Sequence, residues 1–564
     1  MSEPAVRAGV LPSHVRRHLL TLLPGPADLR PVRANWRRDL LAGLTVGVVA
    51  LPLALAFGVS SGMGAAAGLV TAIVAGVVAA VFGGSNVQVS GPTGAMAVVL
   101  APIVAAHGPQ AVVAVSVLAG VILVVAGVLR LGRVVVYIPW PVIEGFTAGI
   151  AVIIALQQVP LALDVAAPAG EGPLVAAVEA VRLAAWPGAT TALALALGVI
   201  LTIEGLRRLR SSLPAALIAV VLATVVAELA GLPVARIGAL PSTLPAPTLP
   251  ELPLGALGTL WGAALSVAAL AAIESLLSAR VAAGMDHQTG RVLPDREVLG
   301  QGLASIASGL FGGMPATGAI ARTAVSVRAG ARSRLAAVTH AALLALVVAF
   351  GAGLASRIPL AALAGVLLAT TLRMVNPREV RAMFRVSRGA ATTFVVTIAC
   401  TVLLDLIAAV EVGVALAAFF ALRALADTTH VTSEPLPGPP QPGDEHIALL
   451  RLDGSLFFGA ADRVLDDIGD SDAWVVVLRL SQVELMDATG VHRLTELMGL
   501  LEAQGKTVLI KGLRPEHERL ARRGGVLSAL RTREHRFDDL DAAVRHARSH
   551  VARQLAGQPV PVRA

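Results

Sequence analysis

Fourteen apolar runs, separated by short polar segments, occupy residues 40–426 of this 564-residue chain. They lie roughly at 40–58, 64–83, 91–106, 111–131, 142–158, 189–204, 213–230, 257–281, 296–312, 318–328, 334–352, 358–371, 390–408 and 411–426. A helix that crosses a bilayer needs about 20 apolar residues, a length that most of these runs approach. Charged residues make up only 15% of the chain, against about 25% in soluble domains. The chain is therefore predicted to be an α-helical polytopic membrane protein with fourteen transmembrane segments.

The distribution of arginine predicts the orientation of the chain. Arg-rich loops follow the fourth, sixth, eighth, tenth and twelfth runs, whereas segments 159–188, 231–256 and 353–357 hold one Arg each. Because basic loops stay on the cytoplasmic side, we expect both termini in the cytoplasm. The formal net charge of +8 is explained by this loop bias, and we expect no nucleic-acid partner.

Composition changes after residue 426 and indicates a second domain. We expect a cytoplasmic N-terminal region at 1–38, a transport domain at 39–426, a Pro-rich linker at 427–444 and a small cytoplasmic α/β domain at 445–554. Strands are predicted at 447–452, 474–480 and 507–510, and helices at 460–468, 488–504, 515–523 and 539–554.

A short motif occurs at matching points of two sets of seven runs, 39–230 and 257–426. Phe82-Gly83-Gly84 precedes Thr93-Gly94-Ala95, and Phe311-Gly312-Gly313 precedes Thr317-Gly318-Ala319. Gly and Pro keep each stretch extended before a short helix begins, so the first N–H groups of that helix lack partners. Paired interruptions of this kind are typical of a transporter site in an inverted repeat, and helix N-termini suit an anion. The alternative is that Gly and Thr only allow close helix packing.

Two charged residues in the apolar runs are candidate site residues. Glu274 lies in the middle of the eighth run, where a carboxylate is costly and is by default a functional hypothesis. Ser278, one turn further on the same face, could help Glu274 bind a small cation. Arg322, one turn into the second short helix, would add positive charge to an anion site. The alternative is a structural Glu274–Arg322 ion pair.

The sequence resembles the SulP (sulfate permease) anion transporters, which carry a C-terminal STAS domain. The resemblance rests on Asp39-Leu-Leu-Ala-Gly-Leu-Thr-Val-Gly-Val-Val-Ala-Leu-Pro52, Ser90-Gly-Pro-Thr-Gly-Ala95, Ala272-Ile-Glu-Ser-Leu-Leu-Ser278, Phe311-Gly-Gly-Met-Pro-Ala-Thr-Gly-Ala-Ile-Ala-Arg-Thr323 and Glu484-Leu-Met-Asp-Ala-Thr-Gly490. It implies a seven-plus-seven inverted repeat, core and gate domains, and a homodimer. It also implies an anion site between the third and tenth helices.

The resemblance assigns site residues by position. The substrate-binding positions are Leu53, Phe57, Thr93, Gly94, Gly318, Ala319 and Ile320, the last three acting mainly through backbone N–H groups. Many relatives have Gln at the position of Leu53, so one polar contact is absent here. Some sodium-dependent relatives have a hydroxyl residue at the position of Ile320, and its absence favours proton coupling. Glu274 matches an acidic position tied to cation coupling.

In the C-terminal domain, the resemblance makes Thr489 a candidate phosphorylation site at a helix start, where phosphate would be favoured by the helix dipole. A cytoplasmic regulator acting through this domain is also implied. The alternative is that Asp487 and Thr489 only cap the helix at 488–504.

These observations predict a secondary active transporter that works by alternating access. We expect proton-coupled symport of a small oxyanion or carboxylate such as bicarbonate, fumarate or sulfate. Sodium-coupled bicarbonate symport, anion exchange, a related nucleobase transporter and a membrane-anchored STAS sensor are the alternatives. The single cysteine, Cys400, excludes an intramolecular disulfide and a cysteine-based zinc site. We found no nucleophile–base set and no metal-ligand cluster in the sequence. We therefore expect no enzymatic activity, no bound metal and no cofactor other than the coupling ion.

Overall fold

The computed structural model describes residues 21–133, 138–166, 172–186, 188–210, 213–249, 257–286, 290–404, 406–457 and 472–557. By its internal contacts the chain divides into two compact units, Met1–Val414 and Ala415–Ala564.

Fifteen helices lie between Pro26 and Asp427 in the described part of the chain. They are α1 Pro26–Ser60, α2 Ala65–Phe82, α3 Gly94–Val128, α4 Trp140–Ala162, α5 Pro173–Leu183, α6 Ala189–Leu209, α7 Ala215–Leu229, α8 Leu257–Met285, α9 Pro294–Leu310, α10 Ile320–Arg328, α11 Leu335–Ala355, α12 Leu360–Met374, α13 Pro377–Val386, α14 Arg388–Leu403 and α15 Leu406–Asp427. Two short strands, β1 Ser90–Gly91 and β2 Thr317–Gly318, precede α3 and α10.

These helices confirm the predicted fold class. Nine helices in the described residues are long and apolar enough to cross a membrane. Helix α3 contains two of the predicted segments, which are separated by a kink. At the kink Gly108 has a φ of 77°, and the following Pro109 cannot donate a hydrogen bond to the preceding turn. Helices α5 and α13 are short additions, and the remaining helices match the other twelve segments.

The start of α1 differs from the expected domain boundary. The helix begins at Pro26, inside the region 1–38 that we expected to precede the transport domain. Pro is favoured in the first turn of a helix, where its missing N–H costs nothing. Asp28 follows in that first turn and accepts from the N–H of Gly25 at 2.9 Å. The local capping signals therefore begin the helix before the apolar run begins.

The helices between Pro26 and Leu403 pack in two groups. One group contains α1, α2, α3, α8, α9, α10 and α11, and the other contains α4, α6, α7, α12 and α14. Both broken segments belong to the first group, which we call the core, and the second group is the gate.

The second unit contains a five-stranded sheet with the strand order β3-β4-β5-β6-β7. The strands are β3 His430–Glu434, β4 Ile447–Leu456, β5 Val475–Met486, β6 Thr507–Lys511 and β7 Arg536–Phe537. The helices are α16 Ala488–Ala503, α17 Pro515–Arg523, α18 Val526–Ala529 and α19 Leu540–Leu555. All neighbouring strands are parallel except β3 and β4. Helix α19 covers one face of the sheet and α16 covers the other.

Strand β3 lies within the segment that we predicted as a linker. Residues 430–434 fall within 427–444, yet they pair with β4 in antiparallel register from His430–Asp453 to Glu434–Leu449. The segment is short and polar, as edge strands commonly are, so its composition resembles that of a loop. The predicted helix at 460–468 lies outside the described residues.

Candidate anion site

Strands β1 and β2 bring the two halves of the repeat together. They pair antiparallel, with Ser90 opposite Gly318 and Gly91 opposite Thr317. Helix α3 begins three residues after Gly91 and α10 begins two residues after Gly318. The starts of α3 and α10 therefore lie side by side, as the paired motifs predict.

The loop after α2 is held by residues of the second half. The carboxylate of Glu297, buried in α9, accepts from the N–H groups of Gly84 at 2.7 Å and Ser85 at 3.0 Å. Its other oxygen accepts from the amides of Gln88 and Gln301, both at 2.9 Å. A Cβ on Gly84 would lie 2.0 Å from the carbonyl oxygen of Leu293. The Gly-Gly pair is therefore needed for this close approach.

The loop after α9 is held in turn by the first half. The N–H of Met314 donates to Oγ1 of Thr71 at 2.8 Å, and Oγ of Ser308 donates to the carbonyl of Met314 at 2.7 Å. Gly312 has a φ of 74°, a conformation that side-chain-bearing residues rarely adopt. Each Phe-Gly-Gly loop is thus fixed by polar groups, and these rigid loops position the two helix starts.

Glu274 joins both helix starts. Oγ1 of Thr93 and Oγ1 of Thr317 each donate to its Oε2 at 2.8 Å. The two hydroxyl oxygens are 3.2 Å apart, and both threonines are buried. One carboxylate oxygen from α8 and one hydroxyl from each half of the repeat therefore form a compact three-oxygen cluster.

The two serines that follow Glu274 in α8, Ser275 and Ser278, have separate partners. Oγ of Ser275 accepts from the N–H of Gly318 at 2.9 Å. Oγ of Ser278 donates to Oγ1 of Thr323 at 3.1 Å, and Thr323 also accepts from the N–H of Val89 at 3.1 Å. Ser278 therefore contacts α10, and its hydroxyl has Thr323 rather than Glu274 as its hydrogen-bond partner.

The backbone N–H groups differ from our expectation for α10. The N–H of Gly318 is bound by Ser275, and the N–H of Ala319 donates to the carbonyl of Val89 at 2.9 Å. The first helical residue is Ile320, whose N–H has no intrahelical acceptor. In α3 the first helical residue is Gly94, and Thr93 caps the N–H of Met96. The first helical N–H groups are therefore those of Gly94 and Ile320, whereas the N–H groups of Gly318 and Ala319 are bound within the fold.

Arg322 provides the positive charge of the site. Its side chain is 2% exposed and Nη2 donates to the carbonyl oxygen of Pro92. Nη1 has no hydrogen-bond partner among the residues that the structure describes, although buried donors are normally satisfied. A Cβ on Gly91 would lie 2.7 Å from this nitrogen, so glycine is needed there. The alternative Glu274–Arg322 ion pair is not formed by the described residues.

An apolar wall covers the start of α3. Leu53 and Phe57, on α1, are both 8% exposed. A Cβ on Gly94 would lie 3.2 Å from Cε1 of Phe57 and 2.3 Å from Cδ1 of Ile154. Ile154 belongs to the gate helix α4, so core and gate meet at this helix start.

Sequence reasoning missed several residues of the site. Thr317 was within a quoted motif, and its position next to Gly318 was the available signal. Ile154 and Glu297 carry no local signal, because their partners are distant in sequence and the contacts follow from tertiary packing.

In the C-terminal domain, Asp487 caps α16 by accepting from the N–H of Gly490 at 2.7 Å. Thr489 is exposed at the second helical position, and among the described contacts it takes no part in the cap. Capping therefore requires only Asp487 and leaves the Thr489 hydroxyl accessible.

A polytopic helical fold with two interrupted helices, which meet beside a buried carboxylate and a buried guanidinium, defines a membrane transporter. Residues 36–397 match the model of the sulfate permease family, and residues 439–543 match the STAS domain. The chain therefore belongs to the sulfate permease family, whose members are anion transporters rather than enzymes.

Individual relatives agree with this assignment. YvdB of Bacillus subtilis (strain 168), which bears a provisional sulfate-transporter name, is 34% identical over 90% of this chain and 97% of its own length. The bicarbonate transporter BicA of Picosynechococcus is 32% identical over 81% of this chain and 85% of its own. The structure of SLC26A9 matches 96% of both chains with a TM-score of 0.81 at 17% identity, which supports the fold.

Proposed function

We propose that this protein is a proton-coupled symporter of a small oxyanion or carboxylate and that Glu274 carries the coupling proton. The observation that supports this most strongly is the contact of Glu274 Oε2 with Thr93 and Thr317, one from each half of the repeat. The charge of a group that contacts both broken segments acts directly on an anion bound between them.

The charge of Glu274 then controls anion affinity. An ionised carboxylate beside the site repels an anion, whereas a protonated one does not. Protonation therefore strengthens anion binding, and loss of the proton on the other side of the membrane favours release. The N–H groups of Gly94 and Ile320 and the guanidinium of Arg322 supply the attraction. The half-helices carry proton and anion together between the two sides.

Sodium-coupled bicarbonate symport is the second candidate. The oxygens of Glu274, Thr93 and Thr317 form a cluster of the ligand type that small hard cations prefer, and BicA, a relative at 32% identity, is named a bicarbonate transporter. In this case sodium would occupy the three-oxygen cluster and neutralise Glu274 in place of the proton.

Uptake into proteoliposomes tests both candidates. The purified full-length chain is supplied with labelled bicarbonate, sulfate or fumarate under an imposed proton or sodium gradient. We expect uptake of at least one anion to follow the proton gradient and to be lost in Glu274→Gln, with anion counterflow retained because a neutral side chain still permits binding.

Glu204→Gln is the matched control, because Glu204 lies at a helix end and pairs with Arg208 at 3.4 Å. It should transport like the wild type. Full gradient-driven uptake by Glu274→Gln would contradict the coupling role, and uptake driven only by sodium would favour the second candidate. Absence of flux for every anion by a folded protein would favour the sensor alternative.

We further propose a homodimer in the bacterial inner membrane with both termini in the cytoplasm and a regulator acting through the STAS domain. The family resemblance and the Arg-rich loops support these points, and the exposure of Thr489 supports it as a phosphorylation site. Light scattering of the detergent-solubilised protein tests the dimer, and a mass shift on Thr489 in protein from its native host tests the modification.

A further inference from the structure

Three histidines of the STAS domain meet at one point. His546 and His550 lie one turn apart on α19, and His535 lies in the turn before β7. Each offers a ring nitrogen, and these three nitrogens lie within 4.8 Å of one another. Nε2 of His546 and Nε2 of His550 are 3.2 Å apart and form a hydrogen bond with each other. The arrangement combines an i, i+4 pair on a helix with a third histidine from another element.

Two of these rings present unsatisfied nitrogens. Nδ1 of His535 and Nδ1 of His550 are buried and have no hydrogen-bond partner among the described residues. Buried polar groups are normally hydrogen-bonded, so these two nitrogens need a partner that the described residues do not supply.

The charged groups around the cluster are of both signs. Arg531 and Arg553 are the neighbouring cations. Nε of Arg531 is paired with Glu502 at 2.9 Å, and Glu534 adds negative charge near His546.

We propose that His535, His546 and His550 form a binding site for a divalent transition metal of the Zn²⁺ type. Three imidazoles with an open fourth position are a known zinc ligand set. Bound metal would tie the turn before β7 to the last helix of the domain. Sequence reasoning found no metal-ligand cluster, because His535 is eleven residues from His546; the His546-x-x-x-His550 spacing was the signal it missed.

The competing explanation is aromatic packing without a metal. The ring of His546 lies 5.2 Å from that of Phe537, and the three imidazoles are within 5.5 Å of one another by ring centroids. Packing and the Nε2–Nε2 hydrogen bond between His546 and His550 explain the burial of the rings but leave Nδ1 of His535 without a partner among the described residues.

Metal analysis of the full-length protein separates the two explanations. The protein is purified without a polyhistidine tag, stripped with chelator, exposed to Zn²⁺ and dialysed. We expect about one Zn²⁺ per chain, the stoichiometry of a single three-histidine site, and little or none in His546→Gln and His550→Gln. His492→Gln, an exposed histidine that contacts Glu496 at 3.3 Å, should retain the metal.

Co²⁺ provides a readout on the wild type that does not depend on the folding of any variant. We expect the visible absorption of four-coordinate Co²⁺ to appear on titration and to disappear when Zn²⁺ is added. Wild-type protein that retains no Zn²⁺ and gives no such band, or equal zinc in the wild type and in both folded cluster variants, would overturn the proposal.

Discussion

The two helix starts carry the same Thr-Gly-Ala motif but use it differently. In the first half Thr93 is the capping residue of α3, and Gly94 is its first helical residue. In the second half Thr317 and Gly318 form β2, and α10 begins only at Ile320. The helix start is thus shifted by two residues relative to the motif. What the motif preserves in both halves is the hydroxyl contact with Glu274.

The shift gives the two halves different roles. The start of α3 faces the gate through Ile154, whereas the residues before α10 are fixed to Ser275 and Val89. Five residues after Thr317 the chain has Arg322, and five residues after Thr93 it has the apolar Val98. The positive side chain therefore comes from one half only, and the contact with the gate is made by the other.

Removal of the single positive charge should have the largest effect. Hydrogen bonds to charged groups contribute about 1.5–3 kcal/mol, so Arg322→Gln should weaken anion uptake by about 10- to 100-fold through a higher KM. Arg328→Gln, at the exposed end of the same helix, should remain near wild type. Equal uptake by Arg322→Gln and the wild type would remove Arg322 from the site.

Because Thr93 and Thr317 both donate to Glu274, we expect their substitutions to affect uptake equally but stability differently. Thr93→Ala and Thr317→Ala should each reduce proton-driven uptake by about tenfold, because each removes one hydrogen bond to a carboxylate. Thr93→Ala should also lower stability by about 1 kcal/mol, since it loses the helix cap. Serine at either position should restore uptake, because it keeps the hydroxyl group. Thermal unfolding of the two purified alanine variants measures the difference in their stability. Equal stability of the two alanine variants would contradict the capping difference.

Residues of this site that carry a local sequence signal could be predicted, whereas contacts between residues distant in the sequence could not. Thr93, Glu274 and Arg322 carry local signals, because Gly, Pro and charge are conspicuous within apolar runs. Partners such as Ser275 for Gly318 depend on the register of β1 with β2, which apolar pattern alone does not fix. The same limit explains β3, whose five polar residues acquire strand structure only from pairing with β4.

Alanine substitutions at Gly94 and Gly318 should have different effects, because Gly94 faces the gate and Gly318 is held by Ser275. Gly94→Ala clashes with Cδ1 of Ile154, and Ile154→Val removes that atom, so the double variant should recover transport. Gly318→Ala places its Cβ 1.8 Å from Nε2 of Gln88, which is held by Glu297. It should cost about 1–3 kcal/mol of stability, as overpacking does.

Transport assays of the three glycine variants and a thermal unfolding series provide the measurements. Failure of Ile154→Val to improve Gly94→Ala would show that the gate does not close on this helix start.

A third helix start, that of α16, has a capping side chain like α3 but lies in the STAS domain. Asp487→Ala should destabilise this domain by about 1 kcal/mol, the usual cost of a lost N-cap. Thr489→Ala should change stability by less than about 0.5 kcal/mol, as exposed substitutions do. Thermal unfolding of the full chain, followed by a fluorophore on the STAS domain, compares them. A larger effect of Thr489→Ala would make Thr489 part of the cap.

Anion-driven proton movement tests the central claim most directly. The full-length protein is reconstituted into vesicles that contain a trapped pH indicator, without an imposed proton gradient, and a transported anion is added outside. Wild-type protein should acidify the lumen as the anion enters, and Glu274→Gln should exchange labelled anion without any change in pH. Proton entry by Glu274→Gln at the wild-type rate, or anion entry by the wild type without protons, would contradict the account.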